Sequence, residues 1–399
     1  MQTIQCDFII NNYKNLDMTL QLLQMIYKRL SVLKFVSSVR SFSSGSPSVL
    51  THISNGLAVV TLNRPKALNS LNLDMIRLLT PALRQWQTED SGVKVVLVRG
   101  EGGKAFCAGG DIRAITETPG GEMQRTFFRE EYQLDHLVGS LAIPYISIMN
   151  GITMGGGVGI SVNGRFRIAT EKTVFAMPET GIGLIPDVGG GFFLPRLPGN
   201  LGMFLGLTGH RLKGWDCVHA GVATHALTEQ TVTELTQTLE HLALSKDSLS
   251  EQDVKTTLDG LNSPEAAHHV FSLSEHLDDI NRIFGSESLE TIVKLLKEEN
   301  SPLFKKALKS IEAASPTSLK VTFRQIREGA KLGSLGDVLK MEQRLVLRCC
   351  EDTDFYEGVR ATLIDRDNKP NWSPATIEEV SQEKMDHYFS DIGDLELKF

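Results

Sequence analysis

The chain has 399 residues, 41% hydrophobic and 22% charged, enough apolar material for a sizeable folded core. Its 41 basic and 48 acidic residues leave a net charge of −7, so nothing marks nucleic acid as a partner, and no apolar run is long enough to suggest a membrane span. Cys6, Cys107, Cys217, Cys349 and Cys350 are scattered, without CxxC or HExxH, which disfavours a disulfide framework and a structural zinc site; no metal is expected.

The first segment reads as an address. From Met18 to Leu73 there is no Asp or Glu, while Lys28, Arg29, Lys34 and Arg40 fall among serines 31, 37, 38, 41, 43 and 44. Leu22, Leu23, Ile26, Leu30 and Leu33 sit at helical spacing with Lys28 and Arg29 turned away. This is the pattern of a mitochondrial transit segment, expected over residues 1–42, with cleavage near Arg40-Ser41-Phe42-Ser43 and delivery to the matrix. The alternative is a disordered tail. Asp7 and Asp17 depart from the pattern, and Met18 or Met25 offers another start.

From about residue 49 strand and helix signals alternate. Leu57–Leu62 is apolar and rich in β-branched residues, and Asn63-Arg64-Pro65 stops it. Asp74–Gln87 predicts a helix with Met75, Leu78, Leu79 and Leu83 on one face. Val93–Val98 is a buried-strand pattern closed by glycines, Glu130–Val138 is helical, and Pro144–Met149 is another strand. Thr173–Ala176 and Gly181–Leu184 read as short extended pieces. The rhythm predicts an α/β fold with mostly parallel strands. Past Gly214 the strand signals fade. Val232, Leu235, Leu239 and Leu242 form a helical stripe, and residues 246–300 are acidic and helix-like with few packing signals. Ser315-Pro316 predicts an N-cap followed by proline at the first helical position, with Leu319, Phe323 and Ile326 facing inward. Leu335–Cys350 reads as a further helix.

Three glycine-rich segments carry the chemistry: Phe106–Asp111, Gly151–Gly159, and Met177-Pro178-Glu179 through Pro186-Asp187 to Gly191. No GxxxxGK[ST] is present, and the first two segments do not fit GxGxxG in register, so nucleotide-binding readings are weak. One glycine segment after a strand is commonly just a tight turn. Two of them, each opening toward a helix, can aim unobstructed backbone N–H groups at one carbonyl oxygen, as an oxyanion hole does. Glu179 and Asp187 each follow a proline in a glycine-flanked loop, where two carboxylates in one apolar pocket would split into acid and base; surface acids or helix caps are the plainer reading. Cys107 reads as packing, Cys349-Cys350 as buried thiols, and His268-His269 as a solvated helix face.

Taken together, Leu62–Asn69, Phe106–Asp111, Met154–Gly157, Pro178-Glu179 and the segment from Gly358 onward resemble the crotonase (enoyl-coenzyme A hydratase/isomerase) superfamily over residues 49–375. Phe127–Tyr132, Met177–Thr180, Ile185–Gly191, Ser315–Lys320, Glu357–Ala361 and Leu363–Asp365 are similar to its branch that hydrolyses 3-hydroxyisobutyryl-coenzyme A in valine breakdown. The resemblance implies a crotonase-like core of repeated ββα units over residues 49–225, a helical insertion over 226–310 and a helical C-terminal region over 311–399. It implies an oxyanion hole from the N–H groups of Gly110 and Gly156, and coenzyme A held around Lys66, Leu68 and Ala108. Glu131, Gly156, Glu179 and Asp187 would contact substrate, with Glu179 as nucleophile or general base and Asp187 on the substrate hydroxyl. Gly159 stands where hydratases carry their first glutamate, which argues against water addition, and Ile185 stands where the branch carries an aromatic. A hydratase or isomerase, and a non-catalytic coenzyme A-binding relative, are the alternatives. The expected partner is a small acyl-coenzyme A with no separate cofactor and no membrane; homo-oligomerisation stays open.

Overall fold

Strand β1 (Val49–Ser54) and strand β2 (Leu57–Leu62) form a hairpin. Its Asn55-Gly56 turn puts both residues at positive φ, 51° and 88°, as a two-residue turn matched to strand twist requires. Helix α1 (Leu73–Trp86) follows, capped by Asn72, whose side chain accepts from the Met75 N–H. The computed structural model describes residues 46–117 and 121–399, so the expected targeting segment lies outside the described residues.

The next part repeats a ββα unit. Strand β3 (Val95–Gly100) is followed by β4 (Ala105–Cys107), a short helix and the long helix α2 (Glu122–Ser140). Strands β5 (Tyr145–Met149) and β6 (Ile152–Met154) lead into α3 (Gly156–Val162), and β7 (Phe166–Ala169) into β8 (Val174–Ala176). The first strand of each pair joins one sheet and the second strand another. With β9 (Leu212–Lys213) and β10 (His225–Ala226), the orders are β1-β2-β3-β5-β7-β10 and β4-β6-β8-β9. All pairings are parallel except β1 with β2 and β8 with β9. Parallel strands must be covered on both faces, and the period-two alternation assigns the faces. Leu57, Val59, Val95, Leu97, Ile146, Ile148 and Ile168 pack under helices α4 (Glu229–Ser245) and α5 (Glu251–Leu261). Ala58, Val60, Val96, Val98 and Met149 face the main core.

The C-terminal half is helical, as expected. Residues 246–300, helix-like with few packing signals in the sequence, nonetheless pack: Val254, Leu258, Ile280, Ile283, Phe284, Leu289, Ile292 and Leu296 are all buried. Their helices are short and amphipathic, so a few apolar residues at i, i+3 and i+4 suffice in an otherwise acidic stretch. Ser315 caps its helix by accepting from the Ser318 N–H, and its hydroxyl donates to Asp354. His269 corrects the histidine reading. It lies beyond the one-turn helix Pro264–Ala267, half-buried, with Nε2 2.8 Å from Asp216 Oδ1. Cys107, Cys217, Cys349 and Cys350 are free and buried. Among the described residues no helix is long and apolar enough to cross a membrane, and no cluster could hold a metal ion.

The parallel strands β4, β6 and β8 of the smaller sheet all end at one edge. The loops that follow them, at Ala108–Asp111, Gly155-Gly156 and Met177–Glu179, therefore converge, as loops after parallel strands do in open sheets.

Candidate active site

That convergence lines a cavity of about 1080 Å³. Every residue expected at the site is on its wall: Lys66, Leu68, Ala108, Gly110, Glu131, Gly156, Glu179 and Asp187. The loop after β2 forms its rim. Leu68 and Asn69 take φ of 51° and 57°, and the Asn69 side chain repays this by accepting from the Arg64 N–H and donating to the carbonyls of Glu101 and Ala105. Backbone bonds from Ala108 N to Leu68 O, Leu71 N to Gly109 O and Asp111 N to Leu71 O zip this loop to the first glycine segment. Arg64 pairs with Asp111 at 2.8 Å across the same seam.

Gly110 and Gly156 are close. A Cβ on Gly156 would stand 3.4 Å from the Gly110 nitrogen, and it would overlap the Glu131 carboxylate. Gly156 is the first residue of α3, where an N–H has no helical partner. Neither glycine N–H donates to another group among the described residues, so both are available to one acceptor. Gly157 must lack a side chain too, because a Cβ there would overlap the Cys107 carbonyl.

Glu179 begins a 3-10 turn over Glu179–Ile182, which replaces the extended piece expected at Gly181–Leu184. Gly181 N bonds to Pro178 O and Leu184 N to Glu179 O, and Gly183 closes the turn at φ 73°. Burial pushes the Glu179 carboxyl well above the usual carboxylate range, and Asp187 adds to this. Its Oε2 is buried without a hydrogen-bond partner. Asp187 accepts from the Tyr132 hydroxyl at 2.7 Å. Burial raises it only to about 6 because that bond opposes the shift.

The site holds more buried acid than the sequence disclosed. Asp135, one turn beyond Glu131 on α2, is fully buried with both oxygens unpartnered. A Cβ on Gly159 would lie 2.5 Å from its Oδ1 and 2.8 Å from Val188 Cβ, so a glutamate cannot be accommodated at 159. Glu342 is also buried, on the helix Leu335–Glu351, which the sequence marks only as a further helix. An acid flanked by buried Val338, Leu339, Leu345 and Val346 was the available signal. Arg211, Thr362, Leu363, Arg366 and Asn368 also reach the cavity from later in the chain. Ile185 is buried and does not line the cavity.

Burial, then Glu131, Asp187 and Glu342, hold the Asp135 carboxyl well above its ordinary value. A folded pKa above the unfolded one gives stability that is complete below the unfolded value and is lost as pH rises toward the folded one. Asp135→Asn removes this titration. Its melting temperature is expected to fall less than the wild type's between pH 5 and 9 in calorimetry; an equal fall would mean that Asp135 carries no such linkage.

The enoyl-CoA hydratase/isomerase family profile matches residues 57–389. This chain belongs to that family. Among curated relatives it is 50% identical over 344 residues to the 3-hydroxyisobutyryl-CoA hydrolase, mitochondrial, of Xenopus tropicalis, covering 85% of this chain and 88% of that one. It is 45% identical over 377 residues to the Homo sapiens protein of the same name, covering 94% and 96%. Among solved structures, a carnitinyl-CoA dehydratase from Mycobacterium thermoresistibile superposes with a TM-score of 0.80 at 35% identity, covering 89% of this chain and 99% of that one. The two-sheet arrangement and converging loops of this enoyl-CoA hydratase/isomerase family member are thus the crotonase-like core that the sequence implied.

Proposed function

We propose that this chain hydrolyses 3-hydroxyisobutyryl-CoA to 3-hydroxyisobutyrate and free CoA, in valine breakdown, in the mitochondrial matrix. The observation that carries the reading is the pairing of Glu179 and Asp187 in one cavity beside Gly110 and Gly156, in a chain about half identical to proteins named as that mitochondrial hydrolase. The coenzyme A enters as part of the substrate along the rim at Lys66, Leu68 and Ala108. Exposed Lys66, Arg113, Arg211 and Arg366 give that mouth positive charge for its phosphates.

The thioester carbonyl oxygen accepts from the Gly110 and Gly156 N–H groups, which stabilise the charge that develops on it. Glu179 either attacks the carbonyl carbon, giving a mixed anhydride that water then cleaves, or takes a proton from the attacking water. A C–O bond forms, the C–S bond breaks, and the departing thiolate takes a proton. Either role needs the Glu179 anion, so the raised pKa means that turnover rises with pH through and beyond the ordinary carboxylate range. Asp187 accepts the hydrogen bond of the substrate 3-hydroxyl and helps relay the proton.

Hydration is the competing chemistry in this family, and the room taken by Asp135 at Gly159 counts against it. A non-catalytic relative would have no need of two buried carboxylates facing the cavity. Free-thiol release across a thioester panel is the test. A site built to bond a hydroxyl rejects an analogue lacking it, so kcat/KM for 3-hydroxyisobutyryl-CoA should exceed that for isobutyryl-CoA by about 100-fold or more. Equal values would remove Asp187 from substrate recognition, and faster hydration of crotonyl-CoA would replace the hydrolase reading.

A further inference from the structure

The loop that carries Asp187 does not hold its own shape. Val188 is β-branched yet sits at φ 53°, and Gly189 follows at 92°, a backbone path that surrounding structure must impose. The Glu342 carboxylate supplies much of that constraint. Its Oε2 accepts from the Gly189 N–H and its Oε1 from the Gly191 N–H, each at 2.7 Å. Gln325 completes the bracket, with Nε2 donating to Glu342 Oε1 at 2.9 Å and to the Pro186 carbonyl at 2.8 Å. Both side chains are fully buried, and neither lines the cavity. The loop is thus fastened immediately before and after Asp187, by residues more than 130 positions later in sequence.

Resting on the reading of Asp187 given above, we propose that Glu342 and Gln325 are positioning residues that set specificity for the 3-hydroxyacyl group by fixing the backbone that aims Asp187. The buried carboxylate suits this task because its two oxygens meet two N–H groups. A glutamine at 342 would turn an NH2 toward one of them and release that side of the loop.

The test compares kcat/KM for 3-hydroxyisobutyryl-CoA and isobutyryl-CoA in the full-length protein. The wild-type ratio, and its collapse in Asp187→Asn, check the underlying reading first. Glu342→Gln is then expected to lower the ratio by about 10-fold or more, the scale of a lost buried charged hydrogen bond, with most of the change in the hydroxylated substrate. Made in the Asp187→Asn background, the same substitution should change kcat/KM by less than about threefold, because coupled residues are not additive. If Glu342→Gln does not fold, Gln325→Met reads the same ratio from the other half of the bracket. A folded variant in which both substrates slow equally, or a full additional loss in the Asp187→Asn background, would overturn the proposal while leaving the hydrolase reading intact. A wild type without hydroxyl preference would instead fail the reading itself.

Discussion

Glu179→Gln is expected to lower kcat for thioester hydrolysis by about three orders of magnitude or more, with KM changed by less than about tenfold. The substitution keeps the shape of the side chain and removes its charge. Gly110 and Gly156 remain in place, because their positions are set by the zipped loops and by the start of α3. The rim at Lys66, Leu68 and Ala108 also remains, so binding survives and the chemical step does not. Glu179 is suited to the step by its surroundings: it is buried, its Oε2 has no partner, and Asp187 shares the cavity. These features raise its pKa, which makes it a stronger base than an exposed glutamate once ionised. Steady-state kinetics with free-thiol detection checks the expectation, and near-normal kcat would take Glu179 out of the reaction. A single turnover in oxygen-18 water then separates its two roles. Attack by Glu179, followed by water cleaving the anhydride on the enzyme side, places the label in the enzyme carboxylate. Direct attack by water places it only in the product acid.

Gly156→Ala is expected to cost about 100-fold or more in kcat, the scale of losing one oxyanion donor. The added methyl would overlap the Glu131 carboxylate and stand 3.2 Å from Leu71 Cδ1 and 3.4 Å from the Gly110 nitrogen. It therefore enters the space between the two donors, and the surrounding groups are too tightly packed to yield it. Burial keeps Glu131 well above the ordinary carboxylate range, with Asp187 raising it further, so its displacement also disturbs the neighbouring acids. Inhibition by free CoA should change by less than about threefold, since the rim is built separately. A variant with kcat within about threefold of the wild type would mean that Gly156 does not serve the oxyanion.

The buried carboxylates explain why site and fold were legible to different degrees. The strands at Leu57–Leu62 and Val95–Gly100 and the helix Leu73–Trp86 are written locally, in β-branched runs, an Asn cap and a 3.6-residue stripe, because their faces are decided by period alone. The glycine segments were legible for a related reason. Close approaches such as Gly157 against Cys107 leave a residue type that nothing else explains. Glu179 and Asp187 stood out because proline and glycine flank them, and the motifs shared with the family gave them roles.

Only the tertiary structure decided the rest. The apparent strand at Gly181–Leu184 became a 3-10 turn because Pro178 and Gly183 close hydrogen bonds within four residues, and a segment that short carries no period to read. The acidic stretch 246–300 carries few packing signals, yet its few apolar residues join the two apolar clusters of the fold. Nothing in the sequence singles out Asp135 or Glu342 on their helices, since a linear pattern records what a residue is and not what faces it. Asp135 meets Gly159, and Glu342 meets the N–H groups of Gly189 and Gly191. The sequence by itself marked most element types, the glycine segments and the two proline-flanked carboxylates, because those are properties of short segments, and the family resemblance supplied the roles proposed for them. The buried acids behind them, and the bracket on the Asp187 loop, depend on contacts across 24 to 153 residues, which only the folded chain brings together.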